Sequence, residues 1–431
     1  MSLNTMAKKN DAPSRRVPWW KRLGAGLITG AADDDPSGIA TYSQVGAAYG
    51  FGMLWTVLFA LPLMIGIQTV CARVGRVTGH GLARNFRNEF PLPLVATIVS
   101  LLCIANVINL AADIGAIGAA VKLLIGGPAA AYAAAAAILS TALQVFVPSK
   151  RYSPILKLLT LSLFAYVISL VAIHIPWSTV LKQTVRPSIT LNSKYAVAIV
   201  AVLGTTISPY LFFWQSSQEA SEVKTHPRRQ PLKHAPAQAP AALSRINSDT
   251  MTGMLFSEVV AYCIVLAAAS TLHAHGKTDI QTAADAAAAL KPLAGNFAFW
   301  LFASGIVGTG MLAIPVLAGS VAFALGETFK WRTGLEQKPG RAKLFYAVIA
   351  VATLSGMVLS FTPLSPIKML FWSAVINGVV AVPVMAAIMW LAARPSVVGK
   401  FQLPLWLKGL GWLATAVMAA AAVMMFATMA K

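Results

Sequence analysis

The segment Asp33-Asp34-Asp35-Pro36-Ser37-Gly38 sets three carboxylates against a proline and a glycine inside an otherwise apolar run. Proline removes a backbone donor and clashes with the preceding turn, while glycine tolerates the conformations that follow a break. A carboxylate at an interrupted helix, beside the free carbonyls of its first half, is a ligand set for a hard cation. Asp35 adjoins the break and is the strongest candidate. Asp33 and Asp34 are assigned to the access path or to capping. The plainer reading of Asp35-Pro36 is a helix cap at a kink, because Asp before Pro commonly opens turns. A second interruption at Thr206-Ile207-Ser208-Pro209 tips the balance towards a site. Paired broken helices at matching places in two halves mark a midplane site in inverted-repeat transporters.

Composition dictates the elements that must position these residues. Of 431 residues, 57% are hydrophobic and 11% charged. A soluble domain carries roughly a quarter charged residues, so the expected solvent is lipid. Apolar runs recur along the chain and divide it into about eleven spans of the length a bilayer requires. The fold class expected is all-α and polytopic. Residues 1–22 form a basic cytoplasmic segment, 23–175 a first repeat and 195–392 a second. Residues 393–431 carry the eleventh helix. Five spans per repeat force opposite orientation. The Pro-, Ala-, Arg- and His-rich stretch 221–247 reads as a flexible cytoplasmic loop.

Net charge is +20. The positive residues sit in connections between apolar runs, not on a basic aromatic surface, so no nucleic-acid partner is expected. Most fall on one side if the N-terminus is placed inside, which puts the C-terminus outside. Cys71, Cys103 and Cys263 form no paired or zinc-binding spacing. In the third span Asn106, Asn109 and Asp113 share one helical face, and Asp113 is a candidate pathway residue. Ordinary interhelical hydrogen bonding explains that stripe slightly better. No nucleophile–base pair supports an enzyme.

The stretch from Gly26-Leu27-Ile28 through Asp35-Pro36-Ser37-Gly38-Ile39-Ala40-Thr41 resembles the first helix of the natural resistance-associated macrophage protein (NRAMP) family. That family reads Asp-Pro-Gly-Asn there. Gly204-Thr205-Thr206-Ile207-Ser208-Pro209-Tyr210 resembles its sixth-helix stretch Gly-Ala-Thr-Val-Met-Pro-His. The resemblance implies a leucine-transporter-like 5+5 inverted repeat with broken first and sixth helices, in a multi-pass cell-membrane protein of the bacterial inner-membrane type. It implies divalent metal transport, with metal ligands at Asp35, near Gly38, at the Thr205 carbonyl and at Ser208. The family's asparagine falls on Gly38, its methionine on Ser208 and its histidines on Tyr210 and Gln215. Its tenth-helix glutamine falls near Ala374, with Asn377 one turn on, so Tyr210 and Asn377 join the pathway candidates.

Losing the thioether leaves an all-oxygen site, which suits hard ions. Smaller side chains leave room for water, which magnesium retains. The site therefore resembles the NRAMP-related magnesium transporters, and the expected cargo is magnesium or manganese, with no resident cofactor. The lost histidines and the offset third-helix acid argue against proton coupling. The alternative is an organic-cation or amino-acid transporter of the same fold.

Overall fold

A computed structural model describes residues 25–147, 164–173, 175–187, 189–190, 192–291 and 295–430. The helices of eight residues or more are α1 (Ala25–Asp33), α2 (Pro36–Tyr49), α3 (Leu54–Thr78), α4 (Leu82–Glu89), α5 (Leu92–Ile125) and α6 (Ala129–Phe146). They continue with α7 (Phe164–Ala172), α8 (Trp177–Val185), α9 (Ser193–Thr206), α10 (Pro209–Thr225) and α11 (Ala239–Thr271). The last are α12 (Ala298–Thr328), α13 (Lys343–Ser360), α14 (Pro366–Ala392) and α15 (Leu405–Met429). Among the described residues, 9 helical runs are long and apolar enough to cross a membrane. They correspond to every expected span except the fifth; the run 36–78 joins the second span to the part of the first that follows the break, and α1 stands apart from it. The fifth span and residues 1–22 fall largely or wholly outside the described residues.

Both expected interruptions are present. α1 stops at Asp33 and α2 starts at Pro36, with Asp35 extended at φ −68°, ψ 172°. α9 stops at Thr206 and α10 starts at Pro209, with Ser208 extended at φ −84°, ψ 134°. A residue before proline is driven out of the helical region, and proline suits the first helical position because it lacks an N–H. The same two rules therefore make both breaks.

Lipid is as apolar as leucine, so the helices gain little from hydrophobic burial against each other and depend on close packing of small residues. A Cβ on Gly30 would lie 2.2 Å from the Gly253 carbonyl oxygen, so α1 and α11 touch backbone to backbone. Gly204 and Gly378 bring α9 and α14 together in the same way. The broken helices and α12 occupy the buried centre, whereas α6, α13 and α15 show apolar side chains outward, among them Ile138, Val358 and Val423.

The loop expected over 221–247 is mostly not a loop. α10 runs on to Thr225 and α11 begins at Ala239. The connection between them is tied down. Arg76 donates to the Gln230 carbonyl and to Gln238 Oε1 (2.9 Å), and Leu232 is buried. Proline-rich composition signals irregular backbone but carries no information about a tether supplied by an arginine 154 residues away. Glu219 and Glu327, which close spans and are expected to face water or to pair with nearby bases, are both buried. Glu219 pairs with Arg245. Glu327 accepts from Ser217 Oγ (2.8 Å) and from the Arg84 N–H (3.3 Å) in the first turn of α4. It satisfies a free helix N-terminus that has no side-chain cap of its own.

Candidate functional site

Asp35 does two jobs with two oxygens. Oδ1 accepts from the Gly38 N–H at 2.8 Å and caps α2. Oδ2 accepts from Asn109 Nδ2 at 3.0 Å and lies 3.3 Å from the Tyr210 hydroxyl. That hydroxyl also reaches the Ala32 carbonyl at 3.0 Å, and its single proton serves one acceptor at a time. The cap expected of Asp35-Pro36 is thus formed by one oxygen, and the other is held by polar side chains. The space beside Gly38 is tight, since a Cβ there would sit 3.2 Å from the Asp33 carbonyl oxygen and 3.4 Å from Thr205 Oγ1.

The second break faces the first. Ser37 Oγ and Thr205 Oγ1 are 3.5 Å apart, and Tyr42 OH lies 2.9 Å from Thr206 Oγ1. Ser208 Oγ donates back to the carbonyls of Gly204 (2.7 Å) and Thr205 (2.8 Å). α1 and α9 both end at the breaks, so the partial negative charge of two helix C-termini lies in the same region as Asp35.

These positions revise parts of the sequence reading. Gly38 lies in the first turn of α2, where its N–H is taken up by the Asp35 cap. The Ser208 hydroxyl is engaged with backbone, which leaves its lone pairs as the free function. Asp33 accepts from Ser257 Oγ at 2.7 Å, while both oxygens of Asp34 are buried without a partner. Neither oxygen of Glu258, next to Ser257, has a partner either. Asp113 is fully buried and unpartnered, and Asn377 is buried with its Oδ1 free, beside the Gly204–Gly378 crossing. Asn106 donates to the Leu317 carbonyl, an ordinary interhelical contact. Gln215 donates to Thr250 Oγ1 at 2.8 Å, on the α11 side.

Asn109 is the residue that the candidate set lacked. Helical spacing places it on the same face as Asp113, but spacing cannot say which neighbour that face meets. Its Nδ2 holds Asp35 and its Oδ1 is buried without a partner.

No Lys, Arg or His bonds to Asp33, Asp34, Asp35, Asp113 or Glu258 among the described residues. Buried carboxylates without a counter-charge are costly, and a cation relieves that cost. Nor do the described residues hold a group of three or more His, Cys, Asp or Glu arranged for a metal. A cation at Asp35 would have to complete its shell with carbonyl, amide, hydroxyl and water oxygens, which is what hard ions accept. The free oxygens of Asn109 and Asn377 and the carbonyl of Thr205 are suited to that.

Tyr210→Phe removes one donor to this carboxylate and leaves the ring. A hydrogen bond to a charged group is worth about 1.5–3 kcal/mol, and the hydroxyl is shared with Ala32. Cation affinity by calorimetry is expected to change by about tenfold, with thermal stability nearly kept.

The comparisons with known proteins follow this geometry. The family model described as natural resistance-associated macrophage protein-like matches residues 26–428. A divalent metal cation transporter, MntH, of Pectobacterium carotovorum subsp. carotovorum is 31% identical over 306 residues, 69% of this chain and 71% of that protein. The MntH of Klebsiella pneumoniae subsp. pneumoniae is 25% identical over 407 residues, 92% of this chain and 91% of that one. The manganese transporter of Eremococcus coleocola, crystallised with an aromatic bis-isothiourea compound, aligns at TM-score 0.71 and 16% identity, covering 95% of this chain and 88% of that chain. Mhp1, a nucleobase-cation-symport-1 family transporter, aligns at TM-score 0.57 over 94% of this chain and 88% of that one, with 13% identity. These two carry the architecture only: an all-helical, multi-pass membrane fold of the leucine-transporter type. With the family model spanning nearly the whole sequence, the chain is a member of the natural resistance-associated macrophage protein family.

Proposed function

We propose that this chain carries a hard divalent cation, manganese or magnesium, across the membrane by alternating access. The observation that carries the reading is Asp35: a buried carboxylate at the first helix break, facing the second break, with no basic residue in contact among the described residues. Its family membership and the names of its relatives, divalent metal cation transporters, support the same reading. The cation binds against Asp35 Oδ2, with Asn109 Oδ1, the Thr205 carbonyl and the Ser208 oxygen as further donors. Asn377 and Tyr210 border the path. Asp33, Asp34 and Asp113 supply negative potential along it.

No sulfur donor stands at the second break, where Ser208 occupies the key position. Soft ions therefore lose the preference a thioether would give them. The half-helices α1 and α10 move against α11, α12 and α5 to open one side at a time. The N-terminus is cytoplasmic and the C-terminus is outside, in keeping with the distribution of Lys and Arg.

The test is flux into proteoliposomes loaded with a metal-sensitive dye. Manganese uptake is expected, inhibited by excess magnesium and much less by cadmium. Absence of divalent flux, or cadmium competing more strongly than magnesium, would overturn the reading.

A further inference from the structure

A cavity of about 630 Å³ lies well away from Asp35. It opens where α2 ends and where α9 and α14 begin. Val45, which lines it, is ten residues along α2 from Asp35, about 15 Å at the helical rise.

Its polar wall is cationic. Lys194 stands in the first turn of α9 and Lys368 in the first turn of α14, and both line the cavity. Neither forms an ion pair among the described residues. Two helix N-termini add partial positive charge. That of α14 has no side-chain cap, because the Ser365 hydroxyl donates to the Gln281 carbonyl (2.7 Å) instead. The lining holds one carboxylate, Asp279, which accepts from Gln281 Nε2 at 2.8 Å. Two lysines and two helix ends outweigh it.

The remaining wall is apolar and reaches the lipid-facing surface. Phe371, Trp372 and Met429 line it, and Trp372 is 47% exposed. A free anion in water gains nothing from that wall. An amphiphile uses both: an anionic headgroup on the lysines and an acyl chain along the aromatic face. Tryptophan at the headgroup level and basic pockets between membrane helices are the physical features of such sites.

We propose that this cavity is a binding site for an anionic phospholipid, with the phosphate on Lys194 and Lys368 and a chain against Phe371 and Trp372. The occupant comes from the leaflet on the face where α9 and α14 begin. Bound there, it bridges the start of α9, which carries half of the second break, to α14.

The test uses the full chain purified in detergent and read by native mass spectrometry. Dioleoylphosphatidylglycerol is titrated against dioleoylphosphatidylethanolamine. Two lysines near an anionic headgroup contribute together about 30-fold in retention, about 2 kcal/mol at ~1.4 kcal/mol per tenfold, so K194Q/K368Q is expected to retain phosphatidylglycerol about 30-fold less than wild type. K194R/K368R is expected to retain it as wild type does, and excess inorganic phosphate is expected not to displace it. Both side chains are exposed, and an unchanged melting temperature in phosphatidylethanolamine shows that the variants are folded. Equal retention by K194Q/K368Q and wild type would overturn the proposal. So would displacement by free phosphate, which would make the site one for soluble anions, or equal retention of the two lipids by wild type.

Discussion

Asp35→Asn is expected to reduce manganese uptake into proteoliposomes by 100-fold or more while leaving the protein folded. The substitution is close to isosteric, and the asparagine oxygen can still accept from the Gly38 N–H that Asp35 Oδ1 now caps at 2.8 Å. What it removes is the negative charge. Stripping one partner from a buried charge pair costs about 3–5 kcal/mol, and every 1.4 kcal/mol is tenfold in affinity. Hydrogen bonding at the site also changes sign. Asn109 Nδ2 and Tyr210 OH both point donors at Asp35 Oδ2, so an amide nitrogen there would meet donors, and an amide oxygen there would leave Gly38 uncapped. Asp35→Ala would confuse the two effects, because it also deletes the cap. The decisive pair of measurements is calorimetric affinity for manganese alongside a melting temperature. Uptake by Asp35→Asn within threefold of wild type would remove Asp35 from the cation path.

The breaks were legible because their cause is local: Asp35-Pro36 and Ser208-Pro209 each hold a residue that cannot continue a helix. Their meeting in space was legible only as symmetry, through matching positions in two halves. What escaped depends on partners remote in sequence. Asn109 lies 74 residues from Asp35, and no pattern in the third span names its partner. The 221–247 segment was misread because Arg76, which holds it, lies in a different span. Glu327 ends a span, which suggests water or a nearby base as its neighbour. It is buried because α4 brings it an uncapped helix start. Local chemistry announces where a chain must break; tertiary contact decides which atoms the break then offers.

Gly204→Val is expected to prevent accumulation of folded protein, the largest stability effect of any single substitution considered. Gly204 sits one residue before Thr205, so the position joins packing to the site. A Cβ there would lie 2.1 Å from the Ala374 carbonyl oxygen and 2.5 Å from the Gly378 backbone nitrogen. Those are backbone atoms of α14, which cannot rotate out of the way as a side-chain tip would. Gly378 answers from the other side, with Val200 O 2.7 Å from its own notional Cβ. Overpacking a tight interior commonly costs about 1–3 kcal/mol, and more where no side chain can yield. Valine adds two further methyl groups to the clash and is stiff at χ1. Relief requires α9 to move off α14, which would also shift Thr205 and Ser208 relative to Asp35 and the neighbouring Asn377. The milder Gly204→Ala should therefore lower manganese affinity as well as stability, whereas a purely structural contact would lower stability alone. Gly409→Ala in α15 is the control: nothing lies within 4 Å of its notional Cβ, and alanine favours a helix over glycine by about 1 kcal/mol. Yield and melting temperature of the three variants decide the matter. If Gly204→Val behaves like Gly409→Ala, α9 and α14 are not in backbone contact, and the placement of Asn377 beside the second break falls with it.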